Sequence, residues 1–134
     1  MDNEILFSNT HKAAKPLGHY SQAVSFGDLL FLSLQLGISY NSKDLNPGSI
    51  EEQTVQAMNN VQEILLASNC NLEQILRVSI YLSDIDHWAI VDRVYQNYMK
   101  DHKPARSVVP CGKLHNSYDV GIEVTAYSNV KEST

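Results

Sequence analysis

The stretch ILRVSIYLSDIDHWAIVDRVYQNYMK, residues 75–100, contains the two local patterns that decide the fold. Its first part, 75–83, is rich in β-branched residues and predicts a strand. Within 86–100, six apolar side chains recur at helical spacing and predict an amphipathic helix that packs on the core. They are Trp88, Val91, Val94, Tyr95, Tyr98 and Met99. A strand that leads directly into such a helix is typical of a mixed α and β domain.

A second helix is predicted upstream, because Ser49 and Glu52 form an S-x-x-E capping box before an apolar series at helical spacing. Apolar runs bounded by turn residues predict further strands at 4–8, 19–24, 29–38, 105–111 and 119–127. Within the long run 29–38, strict alternation predicts one fully apolar face, formed by Leu30, Leu32, Leu34 and Leu36.

The order of these elements is strands, helix, strand, helix, strands. It predicts an α+β sandwich, in which one mixed, mostly antiparallel sheet carries two helices on one face. Because 134 residues can enclose one core but not two, residues 1–134 are expected to form a single domain. The other sheet face is not polar enough to face water alone, so the sequence predicts a homo-oligomer.

The charge balance is mildly acidic, with ten Lys and Arg against fifteen Asp and Glu. No basic run offers a track for phosphates, so no nucleic-acid partner is expected. Cys70 and Cys111 are too few for a disulfide framework, and the five histidines lack metal-ligand spacing. Because we find no signal peptide and no apolar run of bilayer length, we expect a cytoplasmic protein without metal, cofactor or membrane partner.

Arg106 interrupts the small and apolar run PARSVVP, residues 104–110. A guanidinium stays charged, so it needs an anionic or carbonyl partner in fork geometry. The sequence leaves two partners equally open, a substrate carboxylate or Glu123 on the strand taken to be its neighbour. Glu123 itself lies among β-branched residues, where a carboxylate is costly unless it is paired or positions a water for chemistry.

Six segments then fall in a recognisable order, namely GHYSQAV (18–24), SLQLG (33–37), IEEQTVQAMNNVQEIL (50–65), VSIYLSDIDHWAIVDRVYQNYM (78–99), PARSVV (104–109) and IEVTA (122–126). Over nearly the whole chain they resemble the reactive intermediate deaminase family, also called RidA/YjgF. The resemblance implies a chorismate-mutase-like fold and a homotrimer with a cleft at each subunit interface. It also implies hydrolysis of 2-imino or 2-enamino acids, small substrates with a carboxylate, to 2-oxo acids and ammonia.

The same resemblance implies roles for individual residues. Arg106 matches the arginine that binds the substrate carboxylate, and Glu123 matches the glutamate that positions the attacking water. Tyr20 and Ser33 match residues that donate hydrogen bonds at the cleft. The backbone carbonyl of Val108 matches the group that holds the substrate nitrogen, and no cofactor is implied.

Several positions depart from the family pattern. His19 replaces the usual proline, Leu34 stands where glycine is usual, and Asp92 occupies a substrate-binding position where asparagine is common. Pro110–Lys113 also differ. These departures leave open an altered substrate and a non-catalytic binder of 2-oxo or amino acids, whereas the acidic charge disfavours a single-strand ribonuclease. Cys111 is interpreted as a buried structural thiol rather than a nucleophile, because no histidine is placed to activate it.

Overall fold

A computed structural model describes residues 4–128. Within this range the chain forms one seven-stranded sheet and two α-helices. The strands are β1 (Leu6–Ser8), β2 (Ala23–Phe26), β3 (Leu29–Leu32), β4 (Gln35–Leu36), β5 (Ile75–Leu82), β6 (Ala105–Pro110) and β7 (Val120–Tyr127). The helices are α1 (Ile50–Ala67) and α2 (Trp88–Met99). Neither helix has the length and apolar character needed to span a bilayer.

The strands lie in the order β1-β2-β3-β7-β5-β6, and β4 pairs with β7 alongside β3. Every pair is antiparallel except β5 and β6, which are parallel and are joined through α2. A helix between parallel strands is the usual crossover connection. The predicted α+β class, with a mixed and mostly antiparallel sheet and two helices, is confirmed.

The helix starts follow local capping. In α1 the Ser49 hydroxyl accepts from the Glu52 N–H at 3.1 Å, and the Glu52 carboxylate accepts from the Ser49 N–H at 2.9 Å. This reciprocal pair is the predicted capping box. Helix α2 starts two residues later than predicted, because 85–87 form a 3-10 turn that is capped by the side chain of Asp84.

One face of the sheet packs against the helices and forms the core. Val78, Ile80, Ile122 and Val124 on β5 and β7 are at most 4% exposed there. Helix α2 contributes most of its predicted stripe, because Val91, Val94, Tyr95 and Met99 are buried. The other two differ, since Tyr98 is only partly buried against the core and Trp88 is 43% exposed.

The opposite face, called the open face below, carries apolar side chains that no other part of residues 4–128 covers. Six of them are between 38% and 69% exposed: Phe7, Phe26, Leu29, Phe31, Val109 and Tyr127. Strand register places all six on the same face of the sheet as Glu123 and Tyr81, and Val109 pairs directly with Tyr81. This surface is what the predicted homo-oligomer would cover, and the oligomer stays a prediction.

Two strands depart most from their predicted bounds. Residues 19–22 are not in the sheet, and 29–38 is split, because Phe31 pairs with Thr125 whereas Gln35 pairs with Ile122. Residues 32–34 therefore face only 123 and 124, which makes a β-bulge.

The bulge also corrects the predicted leucine face. Leu30 and Leu32 are buried on the helix side, but after the extra residue Leu36 pairs with Gly121, in an open-face row. Leu34 packs on the same glycine, since a Cβ built at Gly121 would lie 2.9 Å from Leu34 Cδ1. A shift of one residue moves side chains to the other face of a sheet. The second half of the alternating run therefore lines the open face instead of the core.

Candidate functional site

A pocket of about 530 Å³ opens on the open face, where the bulge meets residues 14–20. Three predicted site residues line it together, namely Tyr20, Ser33 and Glu123. Much of the remaining wall is aliphatic, with two basic side chains at the rim. These lining residues include Leu17, Leu34, Leu36, Ile38, Lys15 and His115. The arrangement is typical of a small-molecule site, an apolar hollow with a few convergent polar groups.

Buried polar contacts set the rim of this pocket. The Gln22 carboxamide is 1% exposed; it accepts from the Thr10 N–H at 2.7 Å and donates to the Ala14 carbonyl at 2.8 Å. The Ser33 hydroxyl donates to the Ser21 carbonyl at 2.7 Å, and the Ser33 N–H donates to the Gln22 carbonyl at 2.9 Å. These bonds keep 19–22 out of the sheet and bring Ser33 to the pocket wall.

Glu123 lies in the middle of β7, opposite Ser79 of β5. Its Oε1 accepts a hydrogen bond from the Tyr81 hydroxyl at 2.9 Å. Within residues 4–128 no hydrogen bond reaches the other carboxylate oxygen. Its partner Tyr81 was not predicted as a site residue. The alternation of side chains along a strand could have indicated it. Tyr81 lies two residues after Ser79, so both side chains are on the open face of β5, next to β7.

Arg106 lies on the opposite side of the sheet. It pairs with Val78, in the row that faces the helices, and its Nη1 donates to Asp92 Oδ1 at 2.6 Å. The guanidinium carbon lies 4.9 Å from the centre of the Tyr95 ring. Of the two partners that the sequence left open for Arg106, Glu123 is therefore excluded within one copy of the chain, and Asp92 takes that place.

The physical reason is the strand order. Strand β5 lies between β6 and β7, so Arg106 and Glu123 are not on neighbouring strands. Register also sets their side chains on opposite faces, because Arg106 shares a row with Val78, and Glu123 shares the next row with Ser79. One copy of the chain therefore does not bring the predicted residues into one site.

The surroundings of Arg106 form a second, smaller hollow of about 400 Å³. Asp92 lines it, and three basic side chains lie at its edge, Lys100, His102 and Lys103. The Tyr95 hydroxyl is buried there without a hydrogen-bond partner among the described residues. Val108 follows on the same edge strand, two residues beyond Arg106. This is the second group of predicted site residues, and two lysines, Lys100 and Lys103, lie at its rim.

The loop that carries His115 to the pocket is held by Asp119. This carboxylate accepts from Lys113 at 2.7 Å, from Ser83 at 2.6 Å and from Gln53 at 3.1 Å. Burial acts to raise the pKa of Asp119, but these hydrogen bonds outweigh it and lower the pKa to about 2. The carboxylate is thus charged at all physiological pH values.

Cys111, also in this loop, is exposed, so the prediction of a buried structural thiol is wrong there. Its backbone N–H extends the contact of the loop with β5 by donating to the Leu82 carbonyl at 2.8 Å.

Comparison with known proteins decides the family. Residues 10–128 match the family described as endoribonuclease L-PSP. The chain belongs to this family, also called RidA/YjgF. A RutC family protein of Pyrococcus horikoshii is 36% identical over 124 residues, which cover 92% of this chain and 97% of that protein. The rat 2-iminobutanoate/2-iminopropanoate deaminase is 32% identical over 118 residues, 88% of this chain and 86% of the deaminase.

The fold agrees with that of RidA/YjgF structures. The crystal structure of RidA from an Antarctic Psychrobacter bacterium matches with a TM-score of 0.84 at 29% identity, and covers 89% of this chain and 96% of that one. The predicted family and its fold are thereby confirmed. Because names within the RidA/YjgF family refer to both deaminases and ribonucleases, the activity has to be argued from the site.

Proposed function

We propose that this RidA/YjgF protein hydrolyses 2-imino acids, and the 2-enamino acids that tautomerise to them, to 2-oxo acids and ammonia. The position of Glu123 carries the proposal. One of its carboxylate oxygens accepts no hydrogen bond within residues 4–128, and it lines an aliphatic pocket together with two hydroxyl groups, those of Tyr20 and Ser33. Mammalian relatives named as such deaminases, 32% to 35% identical, support the same chemistry.

Glu123 is the base in this proposal. Imine hydrolysis needs a water that loses a proton as its oxygen attacks C2 of the protonated imine. Glu123 takes that proton while the C–O bond forms and the C=N electron pair moves to nitrogen. The protonated carboxyl then returns the proton to nitrogen, the C–N bond breaks, and ammonia leaves. The remaining hydroxyl loses its proton to water and becomes the carbonyl of the 2-oxo acid.

The substrate carboxylate is assigned to Arg106 of a second copy of the chain. We propose a homotrimer in which the pocket with Glu123 faces the Arg106 hollow of the next subunit. A shared cleft accounts for the two groups of site residues lying on opposite faces, and for the apolar side chains exposed on the open face. Arg106 holds the carboxylate as a fork, and the Val108 carbonyl accepts from the substrate nitrogen.

A non-catalytic binder of 2-oxo or amino acids is the second candidate, and one observation favours it. Asp92 holds Arg106 at 2.6 Å, so the guanidinium already has an anionic partner before any substrate arrives. Weak capture of the carboxylate would suit a sensor of abundant metabolites better than a scavenger of scarce intermediates.

A coupled assay separates the two candidates. A threonine or serine dehydratase supplies the imine, and 2-oxo acid release is followed with and without this protein. The deaminase proposal expects faster release, lost in Glu123→Gln, with Glu73→Gln as a matched control on an exposed turn. Ligand binding without acceleration would favour the sensor.

We also propose a cytoplasmic location and no nucleic-acid partner. Both cysteines of the described chain are free thiols, as is usual in reducing compartments. The net charge of −5 would repel a phosphate backbone, which argues against ribonuclease activity despite the family's description.

A further inference from the structure

Tyr81 is the direct hydrogen-bond partner of the proposed base. Its hydroxyl lies 2.9 Å from Glu123 Oε1. Tyr81 stands opposite Gly121 on β7, so Glu123 is its diagonal neighbour across an antiparallel pair. Diagonal neighbours on one face lie within reach of a long aromatic side chain. Strand β5 is paired on both edges, with β6 and with β7, so the backbone that carries Tyr81 is held on both sides.

We propose that Tyr81 is a positioning residue, which holds Glu123 by one carboxylate oxygen so that the other is directed to the water that attacks the imine. This inference rests on the proposed deaminase function. It assigns Tyr81 no contact with the substrate and no proton of its own in the reaction. Its effect reaches the reaction through Glu123.

Two features of the pair support a positioning role. A glutamate side chain has several rotatable bonds, and a base is effective only if it is held within hydrogen-bond reach of its proton. With Oε1 occupied by Tyr81, and Oε2 accepting nothing within residues 4–128, the oxygen left for water is defined. The hydrogen bond to Glu123, followed by the charge of that carboxylate, raises the pKa of Tyr81 above its ordinary value. The phenol therefore stays protonated, and remains a hydrogen-bond donor, at physiological pH.

The direct test is Tyr81→Phe, which keeps the ring and removes the hydroxyl. We expect kcat to fall about tenfold while KM stays within about twofold, because the base is misplaced and the binding groups are not. Tyr127→Phe is the matched control, since Tyr127 lies on the same open face and pairs with Leu29 far along β7. It should keep the parent kcat. Thermal melting of both variants should match the parent closely.

A double-mutant cycle separates positioning from general support of the sheet. In a Glu123→Gln background the base is already lost, so adding Tyr81→Phe should lower kcat no further. A further fall in that background, or a parent-like kcat in Tyr81→Phe alone, would overturn the inference. A parent-like kcat in Tyr81→Phe would leave the proposed function intact, because the parent and the variant would both hydrolyse the imine. A parent that does not accelerate imine hydrolysis would overturn the proposed function and this inference together.

Discussion

Replacing Asp92 by Asn should tighten the binding of a carboxylate ligand. Asp92 Oδ1 and Arg106 Nη1 are 2.6 Å apart, and the two side chains are only 15% and 23% exposed. The guanidinium also lies over the Tyr95 ring, at 4.9 Å from its centre, which keeps it in place when the ion pair is lost. Asparagine has nearly the same shape and can still accept the hydrogen bond, but it removes the competing negative charge.

The magnitude follows from the distance between two anions that share one guanidinium. With the Asp92 carboxylate and the ligand carboxylate about 5 Å apart, effective dielectric constants between about 20 and 80 give a repulsion between them of about 1 to 3 kcal/mol. Movement of the two side chains on binding relieves part of this repulsion. We therefore expect a gain of about 1 kcal/mol, or about a fivefold lower Kd.

Calorimetric titration with 2-oxobutanoate measures this Kd without relying on catalysis, because the 2-oxo acid is stable. The control is Glu51→Gln, which removes one negative charge from an exposed pair with Arg93 on the helix surface. It should leave the Kd unchanged. An Asp92→Asn variant that binds more weakly than the parent would refute the reasoning, since Asp92 would then be orienting Arg106 for the ligand instead of competing with it.

Three further outcomes are expected. Gly121→Ala should lower the melting temperature, because its new Cβ would lie 2.9 Å from Leu34 Cδ1, and Leu34→Ala in the same chain should restore it. Burial acts to raise the pKa of Asp119, but hydrogen bonds lower it to about 2 in the folded protein, compared with an ordinary value of 3.8. The charged carboxylate therefore stabilises the fold fully above pH 3.8, and this stabilisation is lost as the pH falls toward 2. Urea unfolding across that range should therefore depend less on pH in Asp119→Asn than in the parent. Single-stranded RNA should not be retained at near-physiological salt, and tight, steeply salt-dependent binding would contradict the charge argument.

Local signals in the sequence predicted the regular elements well. The capping box at Ser49 and Glu52 and the apolar stripe of α2 depend on residues within a few positions of one another. The capping box forms as predicted, and four of the six stripe residues are buried. The prediction of one continuous strand over residues 29–38 failed because its interruption depends on distant contacts. Its bulge is set by hydrogen bonds from Ser33 to Ser21 and Gln22, which a pattern of alternating leucines does not contain.

The sequence predicted which residues belong to the candidate site, but not how the fold arranges them. The resemblance to the family identified Tyr20, Ser33 and Glu123, which the fold brings to one pocket. The pairing of Arg106 with Asp92 spans 14 positions and depends on how α2 packs beside the edge strand. The sequence could not show it, nor the order of strands that separates Arg106 from Glu123.

The central claim is that each active cleft combines Glu123 of one copy with Arg106 of another. Mixing two inactive variants, Glu123→Gln and Arg106→Ala, and refolding them together tests it directly. With equal amounts and random assembly, about one cleft in four pairs an intact Glu123 with an intact Arg106, so about a quarter of the parent activity should return. The mixed species should have about three times the chain mass of 15.0 kDa. A mixture that assembles to that mass and stays as inactive as its parts would contradict the shared site.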